Sequence, residues 1–457
     1  MAQQASPQLL GTEKISTLLL RYAIPAIIAM MASSLYNLTD SIFIGHGVGA
    51  MALTGLGITM PLMNLGAAFG SLVGIGASTQ LSIKMGQNDR QSALAILGNV
   101  ILLNSMIGLG YTLVCLPFLD PILYFFGATE NSIGYARSYM LIILCGNIVT
   151  HVYLGLNDML RASGYPGKAM AIMLTAVCLN AVLNGIFIFV LGWGIAGSAW
   201  ATVIAQCVAM GLELKHFLNP KSFIHFSRGA IRLKRSIVRG ILSIGMAPFL
   251  MYVCSSVIVI LINKSLLQYG GDLYIGAYSN VNRIAMLFVM IVMGLNQGMQ
   301  PIVGYNFGAR KIDRVTRTLK YVVCCAVSVT TTGFIVCQLF PENITMLFTD
   351  DPDLIAISSH GLRIVLAMFP FVGFQMVTSN FFQSIGMAPK AIFLSLTRQL
   401  IFLVPFLLIL PGFFGSNGVW MSMPMADTAA TTLAAILLWK QFRKFRRMQA
   451  QPLSNNP

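Results

Sequence analysis

Residues Leu18–Ile44 read LLLRYAIPAIIAMMASSLYNLTDSIFI, a long apolar run that contains a single acidic residue, Asp40. A helix rises about 1.5 Å per residue, so this run is long enough to cross a hydrocarbon core of about 30 Å. Eleven more such runs follow, and the sequence predicts twelve spans. Their approximate limits are Leu18–Ile44, Ala52–Leu81, Ser92–Pro117, Tyr139–Leu156, Ala169–Leu191, Ile195–Phe217, Ile237–Leu266, Tyr274–Pro301, Leu319–Phe340, Ile357–Phe382, Ala391–Leu410 and Asn417–Leu438.

The composition excludes an ordinary soluble fold. Of the 457 residues, 56% are hydrophobic and only 9% are charged, whereas soluble domains are about 25% charged. A soluble chain with so many apolar runs would have no surface left to face water. The predicted fold class is therefore an all-α membrane protein with twelve transmembrane helices. The first fourteen residues are polar and carry no cleavage site, so we expect the first segment to be a retained span and not a signal peptide.

The net charge of +15 follows the membrane topology. With the N-terminus inside, the even-numbered connections hold most of the Lys and Arg residues, and the odd-numbered ones gather the acidic residues. This pattern places both termini in the cytoplasm and gives no reason to expect a nucleic-acid partner. The connection between the sixth and seventh segments is the most basic, with Lys215, Lys221, Arg228, Arg232, Lys234, Arg235 and Arg239.

The chain also contains an internal repeat. The sequence GASTQLSIKMG at 76–86 parallels GMQPIVGYNFG at 298–308, and RASGYPGK ending at Lys168 parallels QSIGMAPK ending at Lys390, both at an offset of 222 residues. Because a unit of six helices begins and ends on one side, the second copy has the same orientation as the first. We expect an N-terminal six-helix lobe (1–218), a basic cytoplasmic linker (219–236), a C-terminal six-helix lobe (237–440) and a basic cytoplasmic tail (441–457).

Polar residues inside the predicted spans are the candidates for function. A charge at the bilayer centre costs about 2.5–3.5 kcal/mol on insertion scales, so Asp40 requires an explanation. Tyr36 and Asn37 lie on the same face of the first helix as Asp40. The fifth helix carries Asn180 and Asn184, one turn apart, and the sixth carries the remaining polar stripe. That stripe consists of Ser198, Thr202 and Gln206.

We expect these stripes to meet around Asp40 in a proton or cation site. Burial favours the protonated form of a carboxyl group, which allows reversible proton uptake. Carboxylate, amide and hydroxyl oxygens, the groups that these stripes carry, also suit a hard cation such as sodium. The alternative is that the amides and hydroxyls only join helices through hydrogen bonds of about 0.6–2 kcal/mol. For Asp40 this alternative is weak, because an amide side chain could join the helices as well without placing a charge in the membrane.

The second half differs at the equivalent point, where Asn263 takes the place of Asp40. Among the other spans we expect only one further acidic side chain, that of Asp427 in the twelfth segment. Arg283 and Arg398 lie in the eighth and eleventh segments, where structural ion pairs are as good an interpretation as a transport role. Pro25 leaves a carbonyl of the preceding turn unpaired, and we expect the first helix to bend there.

The chain resembles the multidrug and toxic compound extrusion (MATE) family, in particular its bacterial MepA-like members. The resemblance rests on YNLTDSIFIG ending at Gly45, GLNQGMQPIVGYNFGAR ending at Arg310 and FFQSIGMAPKA ending at Ala391. It implies a V-shaped antiporter that exports bulky, often cationic and amphipathic compounds in exchange for sodium ions or protons. In many members a first-helix carboxylate and polar residues of the fifth and sixth helices form the ion site, a pattern that corresponds to Asp40, Asn180, Asn184 and Thr202.

Further expectations complete this interpretation. The protein would be a monomer in the bacterial cytoplasmic (inner) membrane, would use no cofactor beyond the coupling ion (Na⁺ or H⁺), and would not be an enzyme. Two functional alternatives remain open, a lipid-linked oligosaccharide flippase of the same superfamily and a polytopic membrane enzyme. The candidates for the substrate cavity are Tyr36, Asn37, Ser198, Gln206, Gln297 and Asn380.

Overall fold

The computed structural model describes residues 7–227 and 232–450, and Arg228 of the basic linker lies outside these ranges. The described chain is built from helices, twelve of which are long and apolar enough to cross a membrane, as predicted. We number them α1 to α12. Their bounds are Ile15–Gly47, Ala50–Gly86, Arg90–Cys115, Ile133–Ala162, Pro166–Val190, Gly194–Phe217, Arg235–Gly270, Asp272–Gly308, Ile312–Leu339, Pro352–Ser384, Ala388–Phe414 and Ser416–Ala450.

The helices are longer than the apolar runs that predicted them. α4 begins six residues before the predicted Tyr139 and ends six residues after Leu156. Hydrophobicity marks only the part of a helix that faces lipid, whereas the polar turns at each end continue the same backbone hydrogen bonds. α12 likewise continues through the predicted tail boundary at residue 440.

Both halves follow the same order of elements. A short helix comes after the third span of each half, at Leu119–Phe125 and at Pro341–Thr345. The fifth span of each half contains a π-helical segment, Gly185–Val190 in α5 and Thr397–Leu403 in α11. Such segments insert an extra residue into a helical turn and rotate the side chains that follow.

The two six-helix lobes contact each other at the end of the molecule where both chain termini lie. We call this end the termini side. Close packing there depends on glycine: a Cβ on Gly245 of α7 would collide with the backbone of Leu72 in α2. A Cβ on Gly298 of α8 would lie 2.7 Å from the backbone of Ala23 in α1. Without a hydrophobic driving force in lipid, small residues allow this approach of backbones.

Polar contacts reinforce the same junction. Gln300 of α8 donates hydrogen bonds to the hydroxyls of Ser78 (2.9 Å) and Thr79 (2.6 Å) in α2. The segment before α1 is bound by the other lobe, since Asn306 donates to the Leu10 carbonyl at 2.8 Å. On the far side, by contrast, large apolar side chains such as Leu38 of α1 are exposed. The lobes are thus joined on the termini side.

Candidate functional site

Asp40 lies in the far half of α1, seven residues before the helix ends, and its carboxylate is held by α5. The Nδ2 of Asn184 donates a hydrogen bond of 2.7 Å to Asp40 Oδ1. A second hydrogen bond of 3.1 Å runs from the same Nδ2 to Asn180 Oδ1. The i,i+4 spacing of the two asparagines places them one above the other on the face that meets α1.

A second layer of the site joins α1 and α5 to α6. The Tyr36 hydroxyl donates to Thr202 Oγ1 at 2.9 Å. Asn180 Nδ2 lies 3.3 Å from both the Tyr36 hydroxyl and Thr202 Oγ1. The structure therefore brings together all four predicted ion-site residues, with Tyr36 between them.

This cluster, which we call the Asp40 site, is closed to solvent. Asp40 is only 4% exposed, and Asn180 and Asn184 are fully buried. The ion pairs within residues 7–227 and 232–447 do not include Asp40, so its neighbours are neutral amides and hydroxyls. A charged carboxylate buried without a counter-charge is strongly unfavourable, which means that this site needs a proton or a metal cation to be stable.

The local backbone contributes to the geometry. Asn184 is the last α-helical residue of α5 before the π-helical Gly185–Val190. Its Oδ1 is buried and accepts no hydrogen bond from the part of the chain that the structure describes. Ser198 of α6 also has a buried hydroxyl oxygen without such a partner. Unpaired oxygen atoms beside a carboxylate are suitable ligands for a hard cation.

The predicted cavity residues are dispersed. Asn37 is exposed and donates only to the Ser33 carbonyl of its own helix. Gln206 accepts a hydrogen bond from Thr150 of α4, and Gln297 accepts one from Arg161 across the lobe junction. Asn380 is half-buried in α10, where it contacts Ser384. A substrate role for these residues stays a prediction.

The C-terminal lobe pairs its intramembrane charges. Arg398 Nε donates to Asp427 Oδ1 at 2.7 Å, and the neighbouring Gln399 donates to Ser255 Oγ at 2.8 Å. Arg398 lies in the π-helical segment of α11, Thr397–Leu403. Arg283 lies over the ring of Phe348. The second lobe thus contains a neutralised ion pair, whereas Asp40 in the first lobe has no counter-charge among the described residues.

Sequence reasoning missed two groups. The expectation that Asp427 is the only further acidic side chain in the spans is wrong, because Glu213 lies within the predicted sixth span and is fully buried in α6. Four residues separate it from the helix end, and only packing could show that this turn is covered by α4. Tyr139 is the second group: it is fully buried in α4 and interacts with Thr202. The sequence around Tyr139 contains several tyrosines and no pattern that indicates this contact.

A comparison with known proteins identifies the family. The family model described as MatE matches residues 25–186 and 245–409, one stretch in each half. This chain belongs to the MATE family. As a MATE protein it is a membrane transporter and not an enzyme.

One relative and two solved structures illustrate the similarity. The Multidrug export protein MepA of Staphylococcus haemolyticus (strain JCSC1435) is 25% identical over 421 residues, 92% of each chain. The solved structure of the MATE multidrug transporter DinF-BH in complex with a small molecule is 36% identical, with a TM-score of 0.87 and coverage of 96% of this chain and 98% of that one. A MATE crystal structure in the bent conformation has a TM-score of 0.92 at 24% identity, covering 99% and 100%.

Asn184→Ala should destabilise the protein, because Asp40 loses its closest donor; the hydrogen bond contributes about 0.5–1.5 kcal/mol with a protonated Asp40 and about 1.5–3 kcal/mol with an ionised one. The expected result is a lower midpoint of thermal unfolding in detergent. Asn37→Ala is the matched control, since its exposed hydrogen bond stays within one helix, and it should leave the midpoint unchanged. Equal midpoints for Asn184→Ala and the wild type would show that this bond does not hold the site together.

Proposed function

We propose that this protein exports structurally diverse, amphipathic and often cationic compounds by alternating access, in exchange for a cation bound at the Asp40 site. The coupling ion is Na⁺ or H⁺. The observation that carries this proposal is the burial of Asp40 among neutral groups of α5 and α6. A transporter with such a carboxylate must neutralise it before the site can close, which couples ion binding to conformation.

The residues of the site fit either ion. A proton on Asp40 would remove the negative charge and leave the Asn184 contact as an ordinary hydrogen bond. A sodium ion would instead take oxygens from Asp40, from the unpaired Oδ1 of Asn184 and from Thr202. Ion release then requires that α1 move away from α5 and α6, because the three helices share the ligands.

The relatives support the class of substrate. MepA is named a multidrug export protein, and the DinF-BH multidrug transporter was solved with a small molecule bound. From these likenesses we infer a similar substrate range here. The flippase alternative has less support, because a cavity for a pyrophosphate needs free cationic groups and Arg398 is neutralised by Asp427. The enzyme alternative does not survive the family assignment.

The charge pattern supports an orientation in a bacterial inner membrane with both termini in the cytoplasm. The lobe junction at Gly245 and Gly298 would then close the cytoplasmic side. The described conformation would accordingly be one that is open to the outside, in which the Asp40 site lies in the outer half of the first lobe. We propose that a single chain suffices for transport.

Asp40→Asn should abolish gradient-driven export, because an amide cannot exchange a proton and is a much weaker cation ligand. The measurement is efflux of a fluorescent cationic dye from proteoliposomes, with a sodium gradient and a proton gradient imposed separately. Wild-type efflux should respond to at least one gradient, and Asp40→Asn should fall to the rate of protein-free liposomes.

Asp120→Asn is the control for this experiment, since Asp120 forms an exposed pair with Arg137 and a surface pair contributes little to stability. It should export at the wild-type rate. Gradient-driven efflux by Asp40→Asn at the wild-type rate would refute the assignment of the site.

Pro25 provides a bending point for this cycle. It lies between Ala23 and Ile27, the residues of α1 against which Gly298 and Gly294 of the other lobe pack. A proline inside a helix removes one backbone hydrogen bond and loosens the turn before it. Pro25→Ala should therefore slow efflux while the protein folds normally, as shown by its thermal midpoint. An unchanged rate and pH dependence would rule out a role for the bend.

A further inference from the structure

A second buried polar group lies on the termini side of the same lobe, away from the Asp40 site. Glu213 of α6 is fully buried, and its Oε1 accepts a hydrogen bond of 2.9 Å from Asn157 of α4. Its Oε2 has no partner among the described residues. Eleven residues separate Glu213 from Thr202, a distance of about 16 Å along the helix axis.

The surrounding charges do not balance. Asp158 and Arg161 of α4 form an ion pair of 3.0 Å, and both also interact electrostatically with Glu213, so two carboxylates share one cation. The other titratable group that interacts with it on α4 is Tyr153. Lys168 of α5 is bonded at 2.8 Å to His216, one turn further along α6. The acidic group of the Asp40 site, Asp40 on α1, contacts α5 at the opposite end of the lobe.

A carboxylate in such a place is stable only when neutral. Burying an isolated ionised carboxylate costs several kcal/mol even after relaxation, whereas the protonated acid costs no more than an unpaired hydroxyl. Asn157 offers its Nδ2 to Glu213 and also to the Ala169 carbonyl at 3.2 Å, so it supplies one shared donor and no charge. The arrangement therefore favours a proton on Glu213.

The same group is connected to the other lobe. Arg161 Nη2 lies 3.4 Å from Asn157 Oδ1, and Arg161 Nη1 donates to Gln297 of α8. Gln297 in turn lies 3.6 Å from the sulfur of Met30 in α1. A continuous chain of hydrogen bonds thus runs from Glu213 through Asn157 and Arg161 to the second lobe, and it exists only while the lobes are joined here.

We propose that Glu213 is a proton-binding site in its own right, and that a proton from the solution on the termini side stabilises the joined state of the lobes. When the lobes are joined, Glu213 is buried and retains its proton. When they separate, water reaches the carboxyl group, the proton leaves as hydronium, and Arg161 is released from Gln297. The site acts whichever ion is bound at Asp40.

The sign of the effect follows from linkage. Because the joined state binds one proton more than the separated state, raising the pH shifts the equilibrium toward separation, by at most about tenfold per pH unit for a single proton. Glu213→Gln resembles the protonated acid in shape and in its lack of charge. This variant should therefore fold, stay joined and lose the pH response.

The experiment is hydrogen–deuterium exchange of the full chain in nanodiscs, followed by mass spectrometry of the connections around Gln87 and Arg310. These segments face each other across the termini side, where Gly86 packs on Tyr305. Exchange is corrected for its intrinsic pH dependence and measured from acidic to mildly alkaline pH. In the wild type, protection should fall by up to about tenfold per pH unit. In Glu213→Gln it should remain high throughout.

Asp40→Asn separates this proposal from the proposed function, because it should keep the wild-type pH response on the termini side even when it cannot transport. A pH response that persists when Glu213→Gln is added to Asp40→Asn would overturn the proposal, as would one that disappears in Asp40→Asn alone. Weak protection of these connections from exchange in Glu213→Gln at acidic pH would also overturn it, since the charge of Glu213 would then be what joins the lobes. Protection that follows sodium at constant pH in Asp40→Asn would overturn it too, because a metal cation would then take the place of the proton at Glu213.

Discussion

The structure of the first lobe depends on one buried carboxylate without a counter-charge. Asp40 is 4% exposed and is surrounded by amides and hydroxyls of α5 and α6. In hydrocarbon the ionised form is unstable alone, and this is the basis of our proposal that the positions of α1, α5 and α6 are coupled to the presence of a cation. Asn184 bonds Asp40 directly, and Asn180 and Thr202 are linked to it through Asn184 in one hydrogen-bonded network.

The two halves of the chain use one architecture for different purposes. Both carry a π-helical segment in the fifth span, and both place polar side chains beside it. In the second half, Arg398 neutralises Asp427 within the lobe, so no external cation is required. The two halves are therefore electrically asymmetric, and in our proposal the ion binds in the N-terminal half. At the junction, Gly298 packs on Ala23 of α1 and Gly245 packs on Leu72 of α2, so both of these first-lobe helices are in close contact with the second lobe.

The sequence predicted much of this because its strongest signals are physical. Hydrophobic length defined all twelve spans, and the i,i+4 spacing of Asn180 and Asn184 placed both on the face that meets Asp40. Hydropathy could not give the ends of α4, whose polar turns extend past the apolar core. Nor could it show that Glu213, near the end of α6, is covered by Asn157. Burial depends on what packs against a helix, which a single sequence does not contain.

Cation binding at equilibrium tests the central claim most directly, because it requires no substrate and no transport. Purified protein in nanodiscs would be titrated with radioactive sodium, and proton uptake would be recorded in parallel, for the wild type and Asp40→Asn. If the buried carboxylate governs the lobe, the variant binds one cation fewer, either sodium or a proton, while its fold is preserved. Identical sodium binding and proton uptake in both proteins would contradict the account.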